Sequence, residues 1–399
     1  MEMSKLNRRS AVALGMAAAT QRSFAAPAFE TAFRAAAERH KLPVAVAIVA
    51  DKDRVLLEAA HGLRDSQSDI PADGKSIFII ASMTKAVTSV AAMQLVERGL
   101  LELDGPAHKY LPALRDLPIL EGFDGSGKPQ FSGERYSVTL RQLLTHTAGF
   151  GYAWNHPLVL KLGTFDKPFL VNKPGAQWHY GANIDWVGRI VEAVGKQTLD
   201  AYFQEHIFQP LGMNDTGFVL PPGKFDRLTS NYQRDAGAAL QESPRVQPAP
   251  PSFFNGGGGL LSTAEDYIRF TQMILRRGLA PNGDRVLQAR TVRAMASNQT
   301  GQLEAGRIRS TMLQRSRDVD CHTGQSDRFG LGFMINPKPY DGGRSAGSLA
   351  WAGLYNTFYW IDPKRGISAV LMMNFLPFCD YAAMGMLRDF ERSVYTHLR

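Results

Sequence analysis

Cysteine is nearly absent: Cys321 and Cys379 are the only two in 399 residues. Neither sits in a C-x-x-C pair, which excludes a zinc ribbon and a dithiol redox motif. An exported chain could bridge the two, and their spacing leaves bridged and free thiols equally open. No H-E-x-x-H pattern, clustered ligand spacing, phosphate loop or dinucleotide fingerprint occurs, so no metal and no cofactor are expected. No apolar run reaches the ~18 residues a membrane span needs. Basic residues are scattered without interleaved aromatics, which argues against nucleic acid as a partner. What remains is a chain with 44% hydrophobic and 21% charged residues, ordinary for a globular protein able to bury a sizeable core. Its net charge of +8 favours solubility and loose attraction to anions. The sequence leaves the oligomeric state open.

The N-terminus reads as an export signal. Lys5, Arg8, Arg9 and Arg22 stand against Glu2, and the weakly apolar, alanine-rich stretch Ala11–Thr20 follows the arginine pair. Small residues follow at Ser23, Ala25, Ala26 and Ala28, and cleavage is expected after Ala25 or Ala28. The layout resembles a twin-arginine signal over residues 1–28 and places the mature protein in the periplasm or outside the cell.

Strand and helix signals divide the remainder. Val44–Ala50 and Val55–Ala60 flank the charged turn Asp51-Lys52-Asp53, a hairpin signature. Short strands are expected again at Phe329–Ile335, Leu349–Trp351, Tyr355–Ile361 and Ile367–Asn374, before a final helix over about 381–397. Between them, helical spacing dominates. Ser82 to about Gly99 reads as a helix, Thr139 caps a short helix through Leu144, and residues 183–194 form another. Ser262 and Glu265 make a capping box for a helix to Arg277. The glycine- and proline-rich span 102–137 reads as loop. The expected fold is α/β (α+β), with an antiparallel sheet built from both chain ends and flanked by helices. The sheet lobe would cover about 29–80 and 320–399, and a mostly helical lobe about 81–319 would be inserted. The active site would lie between the lobes.

Ser82 is the only serine followed three residues later by lysine, Lys85. On a helix those two side chains share a face, and an amine beside a hydroxyl can activate it as a nucleophile. A helix N-terminus also supplies N–H donors to a developing oxyanion. A competing pattern, Gly343-Arg344-Ser345-Ala346-Gly347, fits the nucleophile elbow G-x-S-x-G. A strand follows it where a helix is needed, so Ser345 reads as part of a turn. His146 reads as a brace for its own turn, and His179 adjoins Tyr180. Arg307, Arg309, Arg315 and Arg317 form a basic stretch, either a solvated loop or an overhang that attracts anionic substrates.

Five blocks in order resemble the class C β-lactamase-related serine hydrolases of the penicillin-recognition fold. They are Ser82-Met83-Thr84-Lys85; Leu143 to Gly149; Tyr180-Gly181-Ala182-Asn183; Gly256–Leu260 followed by Ser262 to Asp266; and Trp351-Ala352-Gly353 followed by Tyr359 to Pro363. The resemblance implies Tyr180 as the partner that takes the serine proton and returns it. It implies Ser82 and Leu354 as the two backbone oxyanion donors. The family's asparagine lies two places after the tyrosine, where this chain has Ala182; Asn183, one place later, is its candidate substrate contact. Trp351-Ala352-Gly353 replaces the Lys-Thr-Gly strand that meets substrate carboxylates and is similar to the W-x-G motif of family VIII carboxylesterases. Trp351 and Gly353 would then line the substrate pocket, and loss of the lysine would suit neutral esters. The implied activity is cleavage of a small-molecule ester or amide through an acyl-enzyme at Ser82. A β-lactamase, a D-alanyl or D-amino peptidase, an amidase or an acyltransferase would use the same residues. A non-enzymatic binder of the same fold would be expected to lack one of Ser82, Lys85 and Tyr180, and all three are present.

Overall fold

The structure, a computed structural model, describes residues 26–220, 223–235, 238–243, 245–320 and 326–398. The proposed signal lies almost wholly outside them, as does Cys321. Among the described residues, no helix is long and apolar enough to cross a membrane, and no group of three or more potential ligands is placed to hold a metal.

Seven antiparallel strands form the central sheet: β1 (Val44–Asp51), β2 (Val55–Gly62), β3 (Arg328–Phe329), β4 (Met334–Ile335), β5 (Leu349–Gly353), β6 (Thr357–Asp362) and β7 (Ile367–Met372). Their spatial order is β3-β4-β5-β6-β7-β1-β2, so both chain ends meet where β1 pairs with β7, Val46 opposite Met372. The unbroken apolar run of β1 follows from this central position, because both faces of the strand are covered. Adjacent residues of β6 show the two faces. Tyr359 packs on Tyr267 of the helix Ala264–Leu275, ring centroids 5.2 Å apart. Trp360 turns the other way onto Phe390 of the C-terminal helix Tyr381–His397, at 5.1 Å. Phe29 and Phe33 of the helix over residues 26–39 pack on that same Phe390.

Four local readings change. The expected strand 329–335 splits into β3 and β4, because Gly332 turns at φ +92° and a β-carbon there would meet Ser89 Oγ at 2.2 Å. The helix after the glycine run is capped by Thr263, which accepts from Asp266 N, one residue later than the Ser262–Glu265 box. That helix falls within the span expected to be the helical lobe, yet it packs on β1, β6 and β7. The loop span 102–137 also holds a small hairpin, Leu120–Phe123 with Pro129–Phe131. Thr139 does cap Leu140–Leu144, in a full capping box with Gln142.

Candidate active site

The backbone just before the serine is strained. Ala81 sits at φ +40°, a left-handed setting that costs a residue with a β-carbon about 1–3 kcal/mol. A tight turn, Ala81–Met83, then leads into the helix Thr84–Glu97. The glycine-rich segment holds this turn from outside. Ile80 N donates to Leu260 O at 3.2 Å, Leu260 N to Thr84 Oγ1 at 3.1 Å, and Thr88 Oγ1 to Gly256 O at 2.6 Å.

Ser82 Oγ accepts a hydrogen bond from the Tyr180 hydroxyl at 2.7 Å and one from Lys85 Nζ at 3.3 Å. Lys85 is 1% exposed. Its Nζ also donates to the Tyr152 hydroxyl at 3.1 Å and to the Gly257 carbonyl. An ammonium has three N–H donors, and these three oxygens occupy all of them. The Tyr180 ring lies 5.0 Å from the same nitrogen, within cation–π range.

Tyr152 and Asp185 were not found by sequence reasoning. The Tyr152 phenol donates to Asp185 Oδ2 at 2.5 Å while accepting from Lys85. Burial, with the Asp185 charge beside it, pushes Tyr152 ionisation well above the usual phenol range. Tyr152 is therefore held neutral, and Tyr180 is the phenol that faces the serine. Asp185 carries a faint signal, an acid in the first turn of the helix that follows Tyr180. Tyr152 carries none, because it follows the irregular stretch around Gly149–Gly151. Gly257 must be glycine for this cluster to close: a β-carbon there would lie 2.1 Å from Asp185 Oδ2.

Strand β5 forms the facing wall. Trp351 lies against Tyr180, ring centroids 5.0 Å apart, and its buried Nε1 has no hydrogen-bond acceptor in the described structure. Gly353 runs so close to the turn before Ser82 that a β-carbon would lie 2.2 Å from the Ile80 carbonyl oxygen. Ser82, Trp351, Gly353 and Leu354 all line one cavity of about 390 Å³. Neither the Ser82 nor the Leu354 N–H donates to another described residue.

Asn183 does not reach this cavity. It is fully buried, and its Nδ2 lies 3.1 Å from His146 Nδ1, 3.2 Å from His179 O and 3.4 Å from Phe150 O. As the first residue of its helix it turns inward and braces the Tyr180 loop, which corrects the expectation of a substrate contact. His146 completes that brace. Its ring packs on Tyr180 at 4.8 Å, its carbonyl accepts from His179 N, and burial pushes it well below the ordinary histidine range. Burial, with His156 adding to it, pushes His179 down to about 4. Ser345 lies in the turn before β5, where its N–H donates to Asp362 Oδ2 at 2.9 Å, far in role from a nucleophile elbow.

The fold and the serine–lysine–tyrosine cluster define an enzyme of the serine hydrolase and acyltransferase class. Within that class the chain belongs to the Beta-lactamase family, whose model matches residues 29–388. Monacolin J acid methylbutanoyltransferase of Aspergillus terreus is 33% identical, over 92% of this chain and 94% of its own length. Lovastatin esterase of Penicillium rubens is 29% identical, over 86% of this chain and 91% of its own length. The solved structure of a mutant simvastatin synthase from Aspergillus terreus matches with a TM-score of 0.81 at 32% identity, covering 93% of this chain and 96% of that one.

Proposed function

We propose that this chain is a carboxylesterase-type enzyme that cleaves esters through an acyl-enzyme at Ser82. The observation that carries the reading is the Ser82 hydroxyl, bonded at once to Tyr180 and Lys85 at the wall of the cavity. Tyr180 enters the step as the phenolate, its own proton already lost to solvent and its charge held by the Lys85 ammonium; Ser82 Oγ attacks the ester carbonyl and passes its proton to that phenolate. The Ser82 and Leu354 N–H groups, both unengaged, receive the oxyanion. Tyr180 then returns the proton to the leaving alcohol and activates water for the second step. Lys85 keeps positive charge beside the phenol throughout. Trp351 offers an apolar ring and one N–H donor where the related β-lactam enzymes carry lysine. Nothing cationic stands there to hold a carboxylate next to the scissile bond, which supports esters over β-lactams.

A second reading has one specific support: the methylbutanoyltransferase relative is named for transfer of an acyl group to an acceptor. The same acyl-enzyme would then be discharged by an alcohol. Purified protein, a short-chain 4-nitrophenyl ester and a graded series of added alcohols test both. Nitrophenol release that Ser82→Ala abolishes supports the ester reading, and new ester product rising with alcohol concentration supports transfer. Strong turnover of a chromogenic cephalosporin with negligible ester cleavage would contradict both.

We also propose that the chain works after export, on the strength of the Arg8-Arg9 pair and the alanine-rich stretch behind it. N-terminal sequencing of protein expressed with its own leader, in cells with and without twin-arginine translocation, tests this. A mature terminus at Ala26 or Phe29 is expected only in the translocating cells. An intact leader in both would contradict it.

A further inference from the structure

We infer that the substrate carries a carboxylate remote from the scissile bond, and that Arg315 receives it. The inference rests on the ester-cleaving reading of the Ser82 cavity and names its substrate class. Three charged residues line that cavity: Asp185, Arg315 and Arg344. Asp185 is held by Tyr152. Arg344 is buried and doubly bonded to Glu391, Nε to Oε1 at 2.9 Å and Nη2 to Oε2 at 2.7 Å. Of the three, Arg315 alone has no side-chain hydrogen-bond or ion-pair partner among the described residues.

Three acids of this loop and of the segment it bonds have other partners. Asp318 accepts from Arg309 Nη1 at 2.7 Å and from Ser310 N at 2.9 Å. Asp320 faces Arg307 at 3.8 Å, and Asp380 is fully buried against Arg234 at 2.9 Å. The loop has thus paired two of its arginines and left bare the one that lines the cavity.

The root of Arg315 is fixed although its side chain is exposed. Its carbonyl accepts from Phe378 N at 3.0 Å, and its N–H donates to Met312 O at 2.8 Å. Upstream, Thr311 N donates to Trp154 O at 2.8 Å, and Thr311 Oγ1 to Ala153 O at 2.7 Å. The loop therefore ties the Tyr152–Trp154 wall to the Phe378 wall, and its Arg315 lines the cavity with them. Around it the lining is apolar: Ile308, Val319, Met334 and Phe378. Low-dielectric walls focus the field of a single cation, and a guanidinium fork fits a carboxylate with two parallel hydrogen bonds. The cavity thus has no cation at Trp351 and carries an unpaired one at Arg315. Such a cation selects an ester whose acyl chain ends in a carboxylate.

The test compares 4-nitrophenyl half-esters of succinic, glutaric, adipic and suberic acids with neutral 4-nitrophenyl esters of matched chain length. The wild type should prefer one half-ester by about tenfold in kcat/KM, the scale of a charge-assisted pair, and added salt should shrink that preference. Arg315→Gln should abolish it, and Arg315→Lys should keep part of it. An equal preference in wild type and Arg315→Gln, or neutral esters preferred across the series, would overturn the inference. Neutral-ester turnover that Ser82→Ala removes reads the hydrolase assignment separately. If the wild type cleaves no ester, that assignment falls, and tryptophan quenching by the unactivated monomethyl suberate still decides the role of Arg315. Tighter binding to Ser82→Ala than to the Ser82→Ala, Arg315→Gln double variant supports it, and equal binding overturns it.

Discussion

Tyr152 donates a hydrogen bond from its phenol to Asp185 across 2.5 Å, and that one contact settles how the two tyrosines beside Lys85 divide their work. Tyr152 is committed to the carboxylate and relays its charge to Lys85, while Tyr180 keeps its hydroxyl for Ser82. Asp185→Asn preserves the shape and removes the charge. A fall in kcat of about tenfold, one 1.4 kcal/mol step, is expected with little change in KM or melting temperature. Steady-state kinetics with a thermal melt check this. Unchanged kcat would show that the Asp185 charge does nothing for the reaction.

Tyr180→Phe removes the hydroxyl that bonds Ser82. The loss should be roughly 10²–10⁴ in kcat, the usual worth of general acid–base help. Tyr152→Phe should cost less, because that phenol only relays charge. Matched pre-steady-state measurements on one ester rank the two variants. A larger loss at Tyr152 would reverse the assigned roles.

Gly353→Ala tests the close passage of β5 beside the serine turn. Its β-carbon would lie 2.2 Å from the Ile80 carbonyl oxygen and 2.3 Å from Thr357 Oγ1. Backbone on that side cannot swing away, so a destabilisation of about 3 kcal/mol, the upper range for overpacking, is expected. Denaturant melts measure it. Wild-type stability with full activity would mean that the strand does not press on the turn.

Acid should loosen the brace behind Tyr180. His179 sits at about 4 in the folded chain against about 6.5 unfolded, with burial the chief cause. Between those values the unfolded state binds the extra proton, so stability rises with pH there and is lost as pH falls from about 6.5 toward 4. The contribution is at most about 3 kcal/mol at 1.36 per pH unit. His146 acts in the same sense. Asp266, pushed up to about 6 by burial, acts in the opposite sense and offsets part of it. The comparison that isolates His179 is wild type against His179→Gln, melted at pH 7.5 and 4.5. The variant should lose less stability on acidification, and equal losses would show that His179 does not couple to folding.

The sheet was legible because its strands are short, apolar and separated by charged or glycine turns, as at Asp51-Lys52-Asp53 and Asp362–Gly366. Ser82, Lys85 and Tyr180 were legible because their motifs are local and come in a fixed order. Tyr152 and Asp185 were hidden because their bond joins a loop to a helix through space, and no periodicity records it. Asn183 misled for a related reason. Its position one place past the family's asparagine turns the side chain by about 100° at a helix start, from the cavity toward His146. Arg315 looked like its neighbours in sequence. Arg307 and Arg309 pair with loop aspartates, and of the four arginines only Arg315 lines the cavity.

The acyl-enzyme itself is the most direct object to measure. Tyr180→Phe, mixed with a 4-nitrophenyl ester, quenched in acid and digested, should yield one acylated peptide with the group on Ser82, and none when Ser82→Ala is added. An acyl group mapped to any other side chain, Ser345 included, or turnover persisting in Ser82→Ala, would contradict the account.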